Sequence, residues 1–353
     1  MEYSVTNMFA QNMTENVYVK AFAQGEEMEQ RELPPAVSVL LASYNHEKYV
    51  EAAVRSVLSQ KGVAFELIVL DDGSKDKSPE ILEKLAEEFK FRYIHRENKG
   101  VIATLNEMLE LARGKYFCTF SSDDIMPPDR LKKQSDYLLS HPNAVACFGQ
   151  VKPMSEDGIA SENLDSAFLK SVPEISFDEF FLGLKPLHGC AEMFVTDVVR
   201  RLGGYDSRFF FEDYPLYLKV LYECGPQPVL PDVVCCHYRE HGDNMHANHN
   251  RMYAEFLRII ELYKDHRLYP QAVRNWKANW FSSLAYSQKG EALKRLPQLA
   301  SFSSAFLKRL PKLFIPRPLL KRQGKNDFCL HGDIQRRQVY PRTAGKYFFS
   351  VGA

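Results

Sequence analysis

Three pairs of adjacent acids punctuate the sequence: Asp71–Asp72 in FELIVLDDGS, Asp123–Asp124 in FSSDDIMPP, and Glu212–Asp213 in FFFEDYP. Carboxylates brought together repel one another unless something positive lies between them. Hard oxygen donors suit Mg2+ or Mn2+, and Mg2+ is commonly held by one or two carboxylates together with substrate phosphates. The chemistry implied is displacement next to a diphosphate, with the cation neutralising the leaving group. A remaining carboxylate would then be placed to take a proton from the attacking hydroxyl.

The elements that must position these acids can be read from the periodicity. AVSVLLA (36–42) is an apolar run of strand length, of the kind buried on both faces. Val50, Ala53, Val54, Val57 and Leu58 then fall on one face of a helix. FELIVLD follows as a second strand. Ser78–Pro79 supplies a cap and a first-turn proline to a helix burying Ile81, Leu82, Leu85 and Phe89. FRYIH (91–95) is a third strand. Ile102, Leu105, Met108, Leu109 and Ala112 mark a third helix, and KYFCTF (115–120) a fourth strand. Strand alternating with helix predicts βαβ units and a mostly parallel sheet flanked by helices. Ligands of such sheets bind beyond the C-terminal strand ends. Asp71–Asp72 and Asp123–Asp124 both lie at such ends, so the fold gathers them around one crevice.

Past residue 150 the pattern loosens into short mixed elements, with a helix over 216–224; from about 250 the chain reads as helical. The expected organisation is an N-terminal extension at 1–34, an α/β nucleotide-binding domain at 35–245 and a helical, basic C-terminal region at 246–353.

Composition sets outer bounds. The 353 residues are 45% hydrophobic and 25% charged with zero net charge, which excludes a global field that would recruit nucleic acid or membrane. Seven cysteines, an odd number without a CxxC, read as buried thiols in a reducing compartment. The first residues lack a basic and then apolar signal, and no run is long enough to span a bilayer, so cytoplasm is the expected location. No glycine follows the first strand in LLASYNHEKY, which argues against a nucleotidyltransferase phosphate loop and a dinucleotide fingerprint.

VSVLLASYNHEKYVEAAVRSVLSQ, ELIVLDDGSKDKS, NKGVIATLNEMLELARGKY and FSSDDIMPPDRL, in this order, resemble the nucleotide-sugar-binding half of family 2 glycosyltransferases, inverting enzymes of the GT-A fold. The resemblance runs from Val37 to Leu131 and continues more weakly to His241. It implies that Ser43, Tyr44 and Asn45 form the floor for the base, with Tyr44 packing on it, and that Asp72 accepts from the base imide N–H, which favours uracil or thymine. Asp123 would lie near the ribose and Asp124 would ligate the cation. Many relatives carry an Asp where this chain has Ser121 or Ser122, which shifts that assignment by as much as one residue. FFFEDYP resembles the family's ED motif, which makes Asp213 the general base and Glu212 its support or an acceptor contact. HGCAEMF places His188 and Gly189 beside sugar and acceptor.

CCHYREHGDNMHANH holds His237, His241, His246 and His249 beside Cys235 and Cys236, at spacings that match no common zinc pattern. In the family a YR-x-H segment closes the domain and a histidine there completes the metal site; YREH makes His241 the candidate and His237 the alternative. Between Lys289 and Lys325 stand ten Lys or Arg against the single acid Glu291, interleaved with Leu296, Leu299, Phe306, Leu310 and Leu313. That composition suits peripheral contact with an anionic membrane surface. Without a recognised nucleic-acid fold, it does not predict nucleic-acid binding.

The expectation is a metal-dependent inverting glycosyltransferase. It would move a sugar from a UDP- or dTDP-sugar to a hydroxyl of a glycan or lipid-linked acceptor, by analogy in cell-envelope polysaccharide or lipopolysaccharide synthesis. The alternative is an inactive binding or scaffold protein that retains the fold.

Overall fold

The computed structural model describes residues 34–162, 172–241, 249–301 and 303–315. The extension at 1–34 (Pro34 apart), His246 and the side chain of His249, Cys329 and the basic positions past 315 lie outside the described residues. Pro35–Ala353 is one compact unit.

Its frame is an eight-stranded sheet in the order β3-β2-β1-β4-β7-β5-β8-β6. The strands are β1 (Val37–Ser43), β2 (Phe65–Asp71), β3 (Arg92–His95), β4 (Tyr116–Ser121), β5 (Ala146–Met154), β6 (Glu174–Ile175), β7 (Glu192–Val195) and β8 (Gln227–Arg239). Pairing is parallel across β3-β2-β1-β4. The other half is mixed: β7 runs antiparallel to both β4 and β5, while β8 is parallel to β5.

The near-continuous apolar strands are explained by a sheet covered on both faces. Side chains alternate across a strand, so Val37, Val39 and Leu41 of β1 join Leu67 and Val69 of β2 in one core. That core is closed by α1 (Val50–Leu58) and α2 (Ser78–Phe89). Leu40, Ile68 and Leu70 face the opposite core, closed by Ile102, Leu105, Met108 and Leu109 of α3 (Val101–Leu111).

Two local expectations need correcting. The cap of α2 is Lys77, without a side-chain cap bond; the Ser78 hydroxyl instead accepts the backbone N–H of His46 at 3.0 Å. Phe89, expected on the buried face, is 39% exposed, with the Arg55 guanidinium 5.3 Å from its ring centre.

Beyond β4 come α4 (Arg130–Ser140), α5 (Phe177–Phe181), α6 (Thr196–Arg201) and α7 (Asp213–Cys224). The C-terminal part is helical as read: α8 (His249–Glu261), α9 (Tyr269–Ser287), α10 (Lys289–Leu299), α11 (Ser304–Leu307) and a 3-10 turn at Leu310–Leu313. It shares its core with the sheet domain: Trp276 stacks on Phe256 at 4.3 Å and meets Tyr214 of α7 edge-on at 5.4 Å. The basic residues divide. Arg309 and Lys312 turn inward to Asn279 and Ser282 at 2.9 Å each, and Arg295 lies over Trp280. Lys294 and Lys308 stay exposed, as do Leu293, Leu307 and Phe314, the last at 76%. No helix among the described residues is long and apolar enough to cross a membrane.

Candidate active site

The chain passes from the β3 side of β1 to the β4 side, so a crevice opens between the C-terminal ends of those strands. There the structure has a cleft of about 890 Å3, lined by Ser43, Tyr44, Asn45, Asp72, Asp123, Asp124, His188, Gly189, Glu212 and Asp213. Ten of the eleven residues singled out from the sequence thus share one cavity. The eleventh, His241, reaches it through Asp123.

At one end, two adjacent acids have separate roles. Asp71 is fully buried and structural: its carboxylate accepts the Ser74 N–H at 2.9 Å and hydroxyl at 2.6 Å, with His95 Nδ1 at 2.9 Å. Asp72 faces the cleft, accepting the N–H groups of Lys99 at 2.8 Å and Gly100 at 2.9 Å and pairing with Arg96. Arg96, which the sequence reading missed, is itself held by Glu107 and Thr104, both at 2.9 Å. The SYN loop is tied to the DDGS loop, as Asn45 N–H donates to Ser74 Oγ and Asn45 Oδ1 accepts from Lys75 N–H, both at 2.8 Å. Asn45 sits at φ 55°, a left-handed position that asparagine tolerates. Tyr44 remains 47% exposed on the wall, and the Ser43 hydroxyl is buried without a hydrogen-bond partner among the described residues.

In the middle lies the SSDD segment, fastened to the end of β8. Ile125 and His237 exchange backbone hydrogen bonds of 3.1 and 2.9 Å. Arg239 donates from its backbone N–H to Asp124 Oδ1 at 2.8 Å and from Nε to the Asp123 carbonyl at 2.7 Å. His241 is brought to Asp123, with Nε2 at 2.9 Å from Oδ2, while Asp124 turns to the Arg239 backbone. His46, a further residue the sequence reading passed over, stands with Nε2 3.9 Å from the same Asp123 oxygen. His237 is engaged in the sheet opposite Lys152. Burial acts to raise Asp123, but the His241 hydrogen bond and the charges of His46 and His241 outweigh it and hold the carboxyl below its ordinary range. Burial, and then the Asp123 charge, push Asp124 well above that range.

These residues fit a divalent cation. Asp124 Oδ2 is buried with no hydrogen-bond partner among the described residues, and His46, Asp123 and His241 present ligand atoms within 4.8 Å of one another. A second trio, Asp124, Cys190 and Cys236, meets the same distance.

At the far end, Glu212 precedes α7 and Asp213 is its first residue, where the helix N-terminus favours a carboxylate. Asp213 Oδ1 accepts the Tyr214 N–H at 2.6 Å. Burial lifts Asp213 to about 6; burial and the Asp213 charge lift Glu212 to about 8. Both carboxyls thus stand above their ordinary range, Glu212 further than Asp213. Gly189 explains how the opposite loop comes so close: a Cβ there would stand 3.2 Å from Asp213 Oδ2. Burial pushes His188 down to about 4, so it is neutral. Arg251, also missed from sequence, lies over the Phe210 ring, 4.1 Å from its centre, and lines the cleft.

Residues 38–201 match the family model "Glycosyl transferase family 2". An uncharacterized glycosyltransferase of Rickettsia typhi, RT0329, is 28% identical over 198 residues, covering 55% of this chain and 61% of that protein. TuaG of Bacillus subtilis, named as a candidate teichuronic acid biosynthesis glycosyltransferase, is 33% identical over 148 residues, 41% of this chain and 56% of its own. The match thus spans about three-fifths or less of these relatives. Among solved structures, residues 1–349 of S. aureus TarS in complex with UDP-GlcNAc align with a TM-score of 0.57 at 16% identity, over 78% of this chain and 80% of that one. The mannosyltransferase PcManGT of Pyrobaculum calidifontis, in complex with GDP-Man and Mn2+, aligns at 0.55 and 19% identity, over 81% and 82%. These likenesses establish the fold.

Proposed function

From the match of residues 38–201 to the family 2 glycosyltransferase model and the fold shared with the aligned transferases, we propose that this chain is a metal-dependent inverting glycosyltransferase of that family that uses a UDP- or dTDP-sugar. The observation that carries the reading is the single cleft holding Asp72, Asp123–Asp124 and Glu212–Asp213. Asp72, steadied by Arg96 and two backbone N–H groups, offers an acceptor to an imide N–H of the base. A cation held by the SSDD acids and His241 would supply charge neutralisation for the departing diphosphate. Asp213 takes the proton of the acceptor hydroxyl as its oxygen bonds to the anomeric carbon. The bond to the diphosphate breaks on the opposite face, which inverts that carbon. Glu212, pushed further above its ordinary range by burial and by the Asp213 charge, disfavours a second negative charge beside it.

The acceptor in this reading is a glycan or lipid-linked hydroxyl in envelope polysaccharide synthesis, a setting supported by the name of the relative TuaG. The exposed Leu293, Leu307 and Phe314 beside Lys294 and Lys308 support peripheral contact with an anionic membrane.

The test is release of nucleoside diphosphate from a panel of UDP- and dTDP-sugars with candidate acceptors. Asp213→Asn should lower turnover by roughly 100- to 10,000-fold, the range for loss of a general base, while nucleotide binding persists. A variant as active as the wild type would remove Asp213 from the chemistry.

A further inference from the structure

We propose that His46 is a metal ligand, so that the cation rests on a His46–Asp123–His241 donor set and the site favours a cation with greater affinity for imidazole, Co2+ above all, over Mg2+. The proposal deepens the transferase reading above and rests on it for its biological meaning. Three observations carry it.

The first is convergence. The Asp123 carboxylate is met by imidazoles from distant parts of the chain, His46 in the loop after β1 and His241 just past β8, with all three ligand atoms within 4.8 Å of one another. The two rings stand edge to face with centres 5.7 Å apart, so neither blocks the other's approach to the shared oxygen.

The second is orientation. Ligating histidines are usually aimed by a hydrogen bond to the other ring nitrogen. His46 Nδ1 lies 2.8 Å from Ser122 Oγ. In the tautomer where Nδ1–H donates to Ser122, the Nε2 lone pair is left for a cation. The backbone of His46 is pinned as well, by the Ser78 hydroxyl at 3.0 Å. A partly exposed histidine held at both ring and backbone is built for position.

The third is the donor inventory. Ser121 and Ser122 supply hydroxyls rather than carboxylates, and Asp124 spends Oδ1 on the Arg239 N–H, which leaves Oδ2 as its one open oxygen. Oxygen donors alone suit Mg2+, whereas imidazole raises affinity for later divalent ions, in the order Mn2+ below Co2+. Two imidazoles with one carboxylate move the site in that direction.

The experiment is a Co2+, Mn2+ and Mg2+ binding titration on the full chain, without donor sugar, for wild type, His46→Ala and Ser122→Ala. The nitrogen count of the Mn2+ form is read by pulsed electron paramagnetic resonance. Loss of even an outer-shell partner typically costs 10- to 100-fold in affinity. His46→Ala should therefore lower Co2+ affinity at least about tenfold with a much smaller change for Mg2+, and should reduce two imidazole nitrogens to one. Ser122→Ala should keep both nitrogens and weaken Co2+ less. An unchanged Co2+/Mg2+ ratio, or two nitrogens surviving in His46→Ala, overturns the proposal. So does a wild type that binds none of the three ions. Sugar-nucleotide turnover measured in parallel separates the two readings: persistent turnover with an unchanged metal ratio sinks only the role of His46. Absent turnover with the predicted nitrogen loss sinks only the transferase.

Discussion

At Asp213 three features act together: burial lifts the carboxyl to about 6, the start of α7 stabilises its anion, and Gly189 lets the opposite loop come close to it. In the role proposed for it, a base with that pKa would be ionised at neutral pH yet strong enough to draw a proton. The proposed base acts only when deprotonated, so kcat/KM should be level at neutral pH and fall about tenfold per unit as pH drops below about 6. A pH–rate profile with no acid limb between pH 5 and 7 would contradict this. At the same scale, the types of the reactive residues were legible, since acids at strand ends have few structural reasons to cluster. Their division of labour was not: nothing local distinguishes Asp71, which locks a turn through Ser74, from Asp72, which faces the cleft. His46 and Arg96 were missed for the same reason, because each gains its meaning from a partner far along the chain. The available signal was positional, as both follow a strand end on the side where the acids gather.

Among the elements, the join between the SSDD segment and the end of β8 decides whether the middle of the site keeps its shape. Arg239 is 6% exposed and gives hydrogen bonds to the carbonyls of Asp123 and Glu156 at 2.7 Å each. Removing it strands the buried Asp123 carbonyl, at about 1–3 kcal/mol for a group left unsatisfied, while the carbonyl of exposed Glu156 can turn to water. Arg239→Ala should lower the unfolding free energy in urea by about 1–3 kcal/mol, and should weaken Mn2+ binding more than metal-free nucleotide binding. Unchanged stability together with unchanged Mn2+ affinity would show the join to be incidental. The parallel half of the sheet could be read from apolar runs alternating with helical faces, each feature being local. The antiparallel β7 could not: it enters between β4 and β5 because the His188–Cys190 loop turns the chain back there, and four residues carry too little pattern to announce it.

For the molecule as a whole, the helical region is more than an appendage, since Trp276 of α9 and Tyr214 of α7 share one core. Its basic surface is divided in use, which composition alone could not reveal. Arg295, Arg309 and Lys312 serve the helices themselves, while Leu307, Lys308 and Phe314 remain at the surface. Peripheral membrane contact predicts co-sedimentation with vesicles rich in anionic lipid, weakened by salt. A Leu307→Ser, Phe314→Ser double variant should lose most of it. Binding that is equal on neutral vesicles, or untouched by the double variant, would assign the basic surface to solvent.

The cleft is proposed as a nucleotide-diphosphate site completed by a cation. The most direct measurement is thermal stability with UDP, dTDP, GDP and ADP, each with and without Mn2+, for wild type and Asp123→Asn. A ligand at 100 times its Kd stabilises a fold by about 2.7 kcal/mol, which is readily seen as a shift in Tm. The account predicts a shift with UDP or dTDP that grows with Mn2+, and a metal-dependent part that disappears in Asp123→Asn. No shift of the wild type by any nucleotide under any condition would contradict it, and would leave the fold as a scaffold.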